Sequence, residues 1–333
     1  MKITFFSAQA YDRTFFDRIH AEQFSNDGFV FDYQETSLRP ATIRLAAGSD
    51  AICAFVNDQL DAVVLEGLSN QAIKIVLLRC AGFNHVDLVA AQRLGIVVAR
   101  VPAYSPEAVA EHTIALIMTL NRHTHRAFNR VREGNFSLDG LLGKNLHGKT
   151  VGIVGTGKIG LAFARIVQGF GCRLMAYDPA PSAAFAAIGE YVAFDALLAR
   201  SDIVSLHCPL ADGSRHMIDA RALALMKPDA MLVNTSRGAL VDTRALVERL
   251  QMRALGAVAV DVYEREGPLF FQDHSLEIPE DEIFQRFLSF PNVLVTGHQG
   301  FFTVEAMTEI AQVTLGNLRA IRQSGSSENC IQA

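Results

Sequence analysis

Lys149-Thr-Val-Gly-Ile-Val-Gly-Thr-Gly-Lys-Ile-Gly160 runs a short apolar stretch into a glycine-rich turn, and Leu161-Ala-Phe-Ala-Arg-Ile-Val-Gln-Gly-Phe170 follows with apolar residues at helical spacing. The order is strand, turn, helix. In such a turn Gly155 allows the tight bend and Gly157 lets backbone N–H groups approach a pyrophosphate. Gly160 lets the helix pack closely on the strand, with the helix N-terminus turned to the anion. The spacing alone would also fit any glycine-rich turn. The next apolar run, Arg173-Leu-Met-Ala-Tyr177, ends in Asp178, about 20 residues beyond the turn, where an acid accepts hydrogen bonds from a ribose diol. Pro179-Ala180-Pro181 follows, with no Arg or Lys to receive a 2′-phosphate, and the charge of Asp178 would repel one. NAD is therefore expected over NADP.

The turn lies near the middle of 333 residues, so something of domain size precedes it. The first hundred residues alternate strand and helix signals: Lys2–Ser7, a helix from about Tyr11, Phe29–Tyr33, Ala51–Val56, Ile73–Leu78, a helix near Val86–Leu94, and Ile96–Val101. This predicts a parallel sheet of about five strands covered by helices. Ser105-Pro106 opens a long helix to about Asn121, apolar nearly all round, which reads as buried and in part covered by a second subunit. After Gly148, Val151–Val154, Leu174–Tyr177, Ile203–Leu206, Ala230–Asn234, Ala257–Val260 and Val293–Thr296 make a six-strand set of the dinucleotide-binding kind. About Tyr263 to Pro291 reads as a surface excursion with one short helix, and a helix over Thr303–Arg322 precedes a flexible tail from Ser324. That last helix falls after the second sheet is complete, so it is expected to pack back on the first domain. The fold class is α/β with two parallel-sheet, Rossmann-like domains. Residues 103–299 form the NAD-binding domain, inserted into a discontinuous substrate domain of 1–102 and 300–333.

Half of the residues are apolar, enough for two cores, and the net charge of −5 leaves no basic patch for nucleic acid or anionic lipid. Met1–Phe6 is too short for a signal peptide or a membrane span, so a cytoplasmic location is expected. The five cysteines show neither CxxC nor a ligand spacing; no metal and no disulfide framework are expected. Cys80 and Cys208 fall near the expected cleft, where a minor reading makes them oxidant sensors.

Polar groups concentrate where the late strands end. Asn234-Thr-Ser-Arg-Gly238 puts Arg237 beyond a strand's carboxyl end, where open α/β sheets bind ligands, and Gly238 suits close ligand approach. Val258–Glu266 ends another strand with Asp261, Glu264 and Glu266, and Val293–His298 ends a third with a single histidine between Gly297 and Gln299. Hydride transfer to a 2-oxo acid needs a proton donor, a cation for the carboxylate and carbonyl, and a positioned nicotinamide. His298 is expected to be the acid, Arg237 the clamp, and Glu266 the partner favouring charged His298.

Arg79-Cys-Ala-Gly-Phe-Asn-His-Val-Asp87, Val101–His112, Gly155–Gly160, Asn234–Ala239, Asp261–Glu264 and Gly297-His-Gln299 resemble the D-isomer-specific 2-hydroxyacid dehydrogenases over essentially the whole chain, most closely the fermentative D-lactate dehydrogenases. The resemblance implies Arg237, Glu266 and His298 as catalytic residues and D stereochemistry. It implies cofactor contacts at Lys158, Ile159, Asp178, Cys208, Pro209, Thr235, Ser236 and Asp261, and substrate contacts at Ala81, Gly82, Tyr104 and Phe301. Lys158 departs from the family, where many members carry His or Arg. Phe301-Phe302 would admit a methyl group and crowd a larger one, which favours pyruvate, with Phe302 alternatively core for the last helix. Bulkier or smaller oxo acids such as 2-oxoisocaproate, phenylpyruvate or glyoxylate are the enzymatic alternative, and a NAD-sensing, corepressor-like scaffold the alternative of another class. A homodimer or homotetramer is expected.

Overall fold

The computed structural model describes residues 1–211, 213–277 and 279–332. Its elements in chain order begin with β1 (Lys2–Phe5), α1 (Ala10–Ile19), β2 (Val30–Tyr33), β3 (Ala51–Ala54), α2 (Ala62–Asn70), β4 (Ile75–Leu78), α3 (Leu88–Arg93) and β5 (Val97–Arg100). There follow α4 (Pro106–Arg122), α5 (Thr124–Arg132), β6 (Thr150–Val154), α6 (Lys158–Gly169), β7 (Arg173–Tyr177), α7 (Ala183–Ala186), β8 (Glu190–Tyr191), α8 (Phe194–Arg200) and β9 (Ile203–Leu206). Then come α9 (Ala220–Leu225), β10 (Met231–Asn234), α10 (Thr243–Gln251), β11 (Ala257–Val260), α11 (Glu282–Leu288), β12 (Val293–Val295), α12 (Val304–Ser324) and β13 (Cys330–Ile331). Two compact α/β units result, one of Met1–Ser105 with Phe301–Ala333 and one of Pro106–Gly300.

In the first unit the sheet order is β13-β5-β4-β3-β1-β2. Strand β3 is buried along its whole length, as a parallel strand covered on both faces must be. Helix α12 packs on α1, β4 and β5 of this unit. The sheet has a sixth strand beyond the expected five. Residues expected to form a loose tail instead turn back through β13, which pairs antiparallel with β5. Asn317 holds the turn: its side-chain amide donates to the Arg100 carbonyl at 2.9 Å, and its Oδ1 accepts from Ser327 and Asn329. Polar residues spaced this way read as linker in one dimension and become hydrogen-bond partners only once α12 lies beside them.

The second unit's sheet, β12-β11-β10-β9-β6-β7-β8, is parallel throughout. The added seventh strand, β8, has two residues, too few for periodicity to reveal. The chain runs from β6 outward to β8 and returns to β9 on the other side of β6, which makes the β6/β9 gap the topological switch point of this sheet. Apolar faces of α4 and α6 cover one side, with Ile117, Phe163 and Val167 buried against Ile153 and Val233; each such side chain contributes roughly 1.5–3 kcal/mol. The face that includes Leu197, Leu223 and Leu246 packs against Val204, Leu232 and Val258 on the other side. The segment after Tyr263 is more than a surface excursion: Tyr263, Phe270 and Phe284 bury one another in a small core of their own. Ile278, within that segment, lies outside the described residues.

Candidate active site

The glycine turn sits at the carboxyl end of β6. Gly155 has φ +94°, and a Cβ there would stand 2.7 Å from the Cys208 nitrogen, so the β6 and β9 loops approach as closely as backbone allows. A Cβ on Gly160 would run into the Gly155 carbonyl oxygen, whereas one on Gly157 would meet nothing within 4 Å. Open space therefore lies over Gly157. Helix α6 starts there without a side-chain cap, with exposed Lys158 and half-buried Ile159 in its first turn, leaving first-turn N–H groups for an anion.

Asp178 follows β7 and accepts from the Thr156 N–H at 2.6 Å, the Thr156 hydroxyl at 3.0 Å and the Ala180 N–H at 2.8 Å. Burial pushes its carboxyl up, but these hydrogen bonds outweigh that and hold it below the ordinary range. The ionised acid at the turn suits a ribose diol and disfavours a second phosphate. Thr156 and Tyr191, whose hydroxyls meet at 2.7 Å, were not singled out from sequence; β-strand spacing gives no sign of them. The turn, the uncapped helix and the fixed acid together fit an NAD dinucleotide.

The Cys208 carbonyl accepts from the Ser236 hydroxyl at 2.6 Å, and the Thr235 hydroxyl meets that of Thr113 at 2.8 Å, so the loops after β9 and β10 are tied together and to α4. Pro209 is exposed beside them. Burial pushes the Cys208 thiol up to about 11, and Cys80 is 4 % exposed. Both facts argue against oxidant sensing, which needs an accessible thiolate.

Arg237, Glu266 and His298 follow three adjacent strands, β10, β11 and β12. His298 has φ +54°; its N–H donates to the Asp261 carbonyl at 2.7 Å, and its Nδ1 lies 2.8 Å from Glu266 Oε1. The second Glu266 oxygen accepts from the Tyr263 N–H at 2.9 Å. With Nδ1 engaged, Nε2 has no protein partner among the described residues and is left for a ligand. Arg237 is half-buried; among the described residues its guanidinium bonds only to the Ser236 carbonyl, through Nη1 at 2.7 Å, and pairs with no carboxylate.

Of the three acids after β11, the structure gives each a different task. Glu264 turns to His216, 2.5 Å away, and to Arg215 and Thr243. Asp261, expected to touch the cofactor, is 1 % exposed and its carboxylate is used up internally. Its donors are the Thr296 hydroxyl, the Gln299 and Gly300 N–H groups, and His112 Nε2 at 3.2 Å. Against a burial penalty, His112 and Thr296 hold this carboxyl below its ordinary range. Asp261 thus fastens the turn that carries His298. His112 was missed because its partner lies far along the chain. Gly238 also differs from expectation: a Cβ there would overlap the Tyr263–Glu264 peptide, so its glycine serves contact between two loops rather than approach of a ligand.

In the first unit, Ala81 and Gly82 follow β4 half-buried, and among the described residues neither N–H donates to a protein acceptor. The Ala81 carbonyl accepts from Arg100 at 2.8 Å. Phe301 is 7 % exposed and lies in an aromatic group with Phe55 at 5.9 Å and Tyr104 at 6.1 Å between centroids. Phe302 is 49 % exposed and packs edge-on against Tyr11, so it is not core for α12. Phe55 was missed; at the end of an apolar strand it reads as one more core residue.

A parallel sheet with a dinucleotide turn at its switch point, a His–Glu pair and, after a neighbouring strand, an arginine with no carboxylate partner among the described residues defines an NAD-linked dehydrogenase of small carboxylic acids. Residues 114–300 match the model of the D-isomer specific 2-hydroxyacid dehydrogenase NAD-binding domain. The chain is 57 % identical over 321 residues to 2-hydroxyacid dehydrogenase A of Aspergillus oryzae, covering 96 % of this chain and 91 % of that one. It resembles the apo structure of D-lactate dehydrogenase from Escherichia coli at a TM-score of 0.89 and 45 % identity, covering 99 % and 100 % of the two chains. The pyruvate reductase of Chlamydomonas reinhardtii gives a TM-score of 0.89 and 44 % identity over 96 % of each. The chain belongs to the D-isomer specific 2-hydroxyacid dehydrogenase family, whose coenzyme is NAD.

Proposed function

We propose that this protein reduces pyruvate to D-lactate, reversibly, in the cytoplasm. The observation that carries the reading is the His298–Glu266 pair at 2.8 Å with an arginine on the neighbouring strand's loop that no carboxylate among the described residues neutralises. NADH, when bound at the glycine turn, supplies the hydride. His298 Nε2 gives its proton to the oxygen of the substrate carbonyl, and Glu266 keeps the ring oriented and balances its charge when protonated. In the oxidative direction the neutral ring takes the proton back. Arg237 donates to the substrate carboxylate and carbonyl oxygen. In the first unit, the N–H groups of Ala81 and Gly82, which donate to no protein acceptor among the described residues, suit a substrate carboxylate, and Phe301 with Tyr104 and Phe55 forms an aromatic group suited to a methyl. The names of the Escherichia coli and Chlamydomonas relatives support lactate and pyruvate as the pair.

A substrate panel at fixed NADH tests the choice: the highest kcat/KM is expected for pyruvate, and a higher value for 2-oxoisocaproate, phenylpyruvate or glyoxylate would displace it. NADH binding with no oxidation by any 2-oxo acid would favour a NAD-sensing scaffold instead.

We also propose that the protein is a homodimer or homotetramer joined through its NAD-binding unit. Helix α5 has no buried residue, and Phe128, Phe136, Leu138 and Leu142 on it and just beyond are 63–92 % exposed. Such a run of bare apolar side chains suits burial against a second copy. Sedimentation velocity should give a species of at least twice the chain mass. No helix among the described residues is long and apolar enough to cross a membrane.

A further inference from the structure

From the polar cluster beneath Ala81–Gly82 we infer that Arg79 is a positioning residue for the substrate, acting through the backbone that carries those two N–H groups and through the ring of Phe55. The inference rests on the proposed role of Ala81–Gly82 in binding the substrate carboxylate.

Arg79 is 2 % exposed, an unusual place for a guanidinium that touches neither solvent nor, by proposal, ligand. It stands one residue past β4, and its own N–H continues the strand pairing to the Ala54 carbonyl at 3.1 Å. Its Nε and Nη2 fork onto Asp12, whose side chain is equally buried, at 3.2 and 3.4 Å. Nη2 also donates to the Ser7 carbonyl at 2.8 Å. The guanidinium plane lies over the Phe55 ring at 4.8 Å, and Phe55 in turn contacts Phe301. Nη1 has no hydrogen-bond partner among the described residues.

One planar cation therefore joins four segments: the Ser7 turn, where φ is +51°, α1 through Asp12, the end of β3 with Phe55, and the start of its own Arg79–Gly82 loop. A second buried carboxylate, Asp58, ties Ser7 to Leu38 and Phe55 from the other side, accepting from the Ser7 hydroxyl and the N–H groups of Leu38 and Phe55 at 2.6–2.7 Å. Burial raises the Asp58 carboxyl above its ordinary value, while Arg79 and these hydrogen bonds pull the other way.

Lysine keeps the charge but has neither a fork for Asp12 and Ser7 nor a flat face for Phe55. With that support lost, Ala81–Gly82 and Phe55 lose their fixed geometry, while the residues that transfer the proton and bind NAD are unchanged.

The test uses the full-length enzyme carrying Arg79→Lys, with Asp12→Asn, which keeps side-chain shape, read the same way should the lysine variant fail to fold. Expected is a KM for pyruvate raised ~10-fold or more, with kcat within about 3-fold and the Kd for NADH unmoved, the pattern of lost uniform substrate binding. Inhibition by oxamate should weaken in parallel. A folded variant that melts earlier but keeps the parent KM would overturn the inference, as would a loss confined to kcat or to NADH affinity. If the parent enzyme reduces no 2-oxo acid, the proposed function falls; if it does and Arg79→Lys leaves KM alone, only the role of Arg79 falls.

Discussion

Glu266 Oε1 lies 2.8 Å from Nδ1 of His298, and the peptide on which that ring is mounted is tied to the carbonyl of Asp261. The tautomer and the direction of Nε2 are thus set by two residues that both follow β11.

His298→Ala should lower kcat by about 10²–10⁴-fold, the usual contribution of a positioned proton donor, with NADH binding retained. Glu266→Gln should give a smaller loss, because the amide still reaches Nδ1 but supplies no charge. Steady-state rates and fluorescence titration of NADH separate the two effects.

Arg237→Lys should reduce kcat/KM for pyruvate by roughly 10²-fold, since a single ammonium replaces a fork for carboxylate and carbonyl. Arg237 anchors no ion pair among the described residues. The melting temperature should therefore stay within about 2 °C of the parent, and a large drop would make it a structural residue.

Gly238→Ala should destabilise the fold by ~1–3 kcal/mol or more, because the new methyl overlaps the Tyr263–Glu264 peptide. Arg237 and Glu266 leave from the two loops pressed together there, so kcat should fall as well. Chemical denaturation with parallel rate measurements reads both.

The Asp261 carboxyl is held below its ordinary value, so its ionised form stabilises the native state above about pH 4, and that contribution disappears as pH falls through the folded value. Asp261→Asn should cost about 2–4 kcal/mol at pH 7 and flatten the loss of stability below pH 4. Urea unfolding at pH 3–7 tests the sign; a variant more sensitive to acid than the parent would contradict it.

With its thiol pushed up to about 11, Cys208 carries almost no thiolate at pH 7.5. Iodoacetamide at that pH should leave Cys208 unmodified by peptide mass mapping, with activity retained. Labelling at Cys208 that tracks loss of activity would revive a redox role.

Gly155, Gly157 and Gly160 with Asp178 could be read in one dimension because each acts within a single strand–turn–helix–strand unit, where spacing along the chain is distance in space. Arg237, Glu266 and His298 were legible for a related reason: the ends of parallel strands all point to one edge of the sheet. Glu266 is already the expected partner of His298 in one dimension; what only the fold shows is where the other two acids go, Asp261 to Thr296 and His112 and Glu264 to His216. Only the fold, likewise, paired His112 with Asp261, Arg79 with Asp12 and Asn317 with the turn before the last strand. These partners are separated by 149, 67 and 10 or more residues, and burial rather than local periodicity brings each polar group to the one neighbour that can satisfy it.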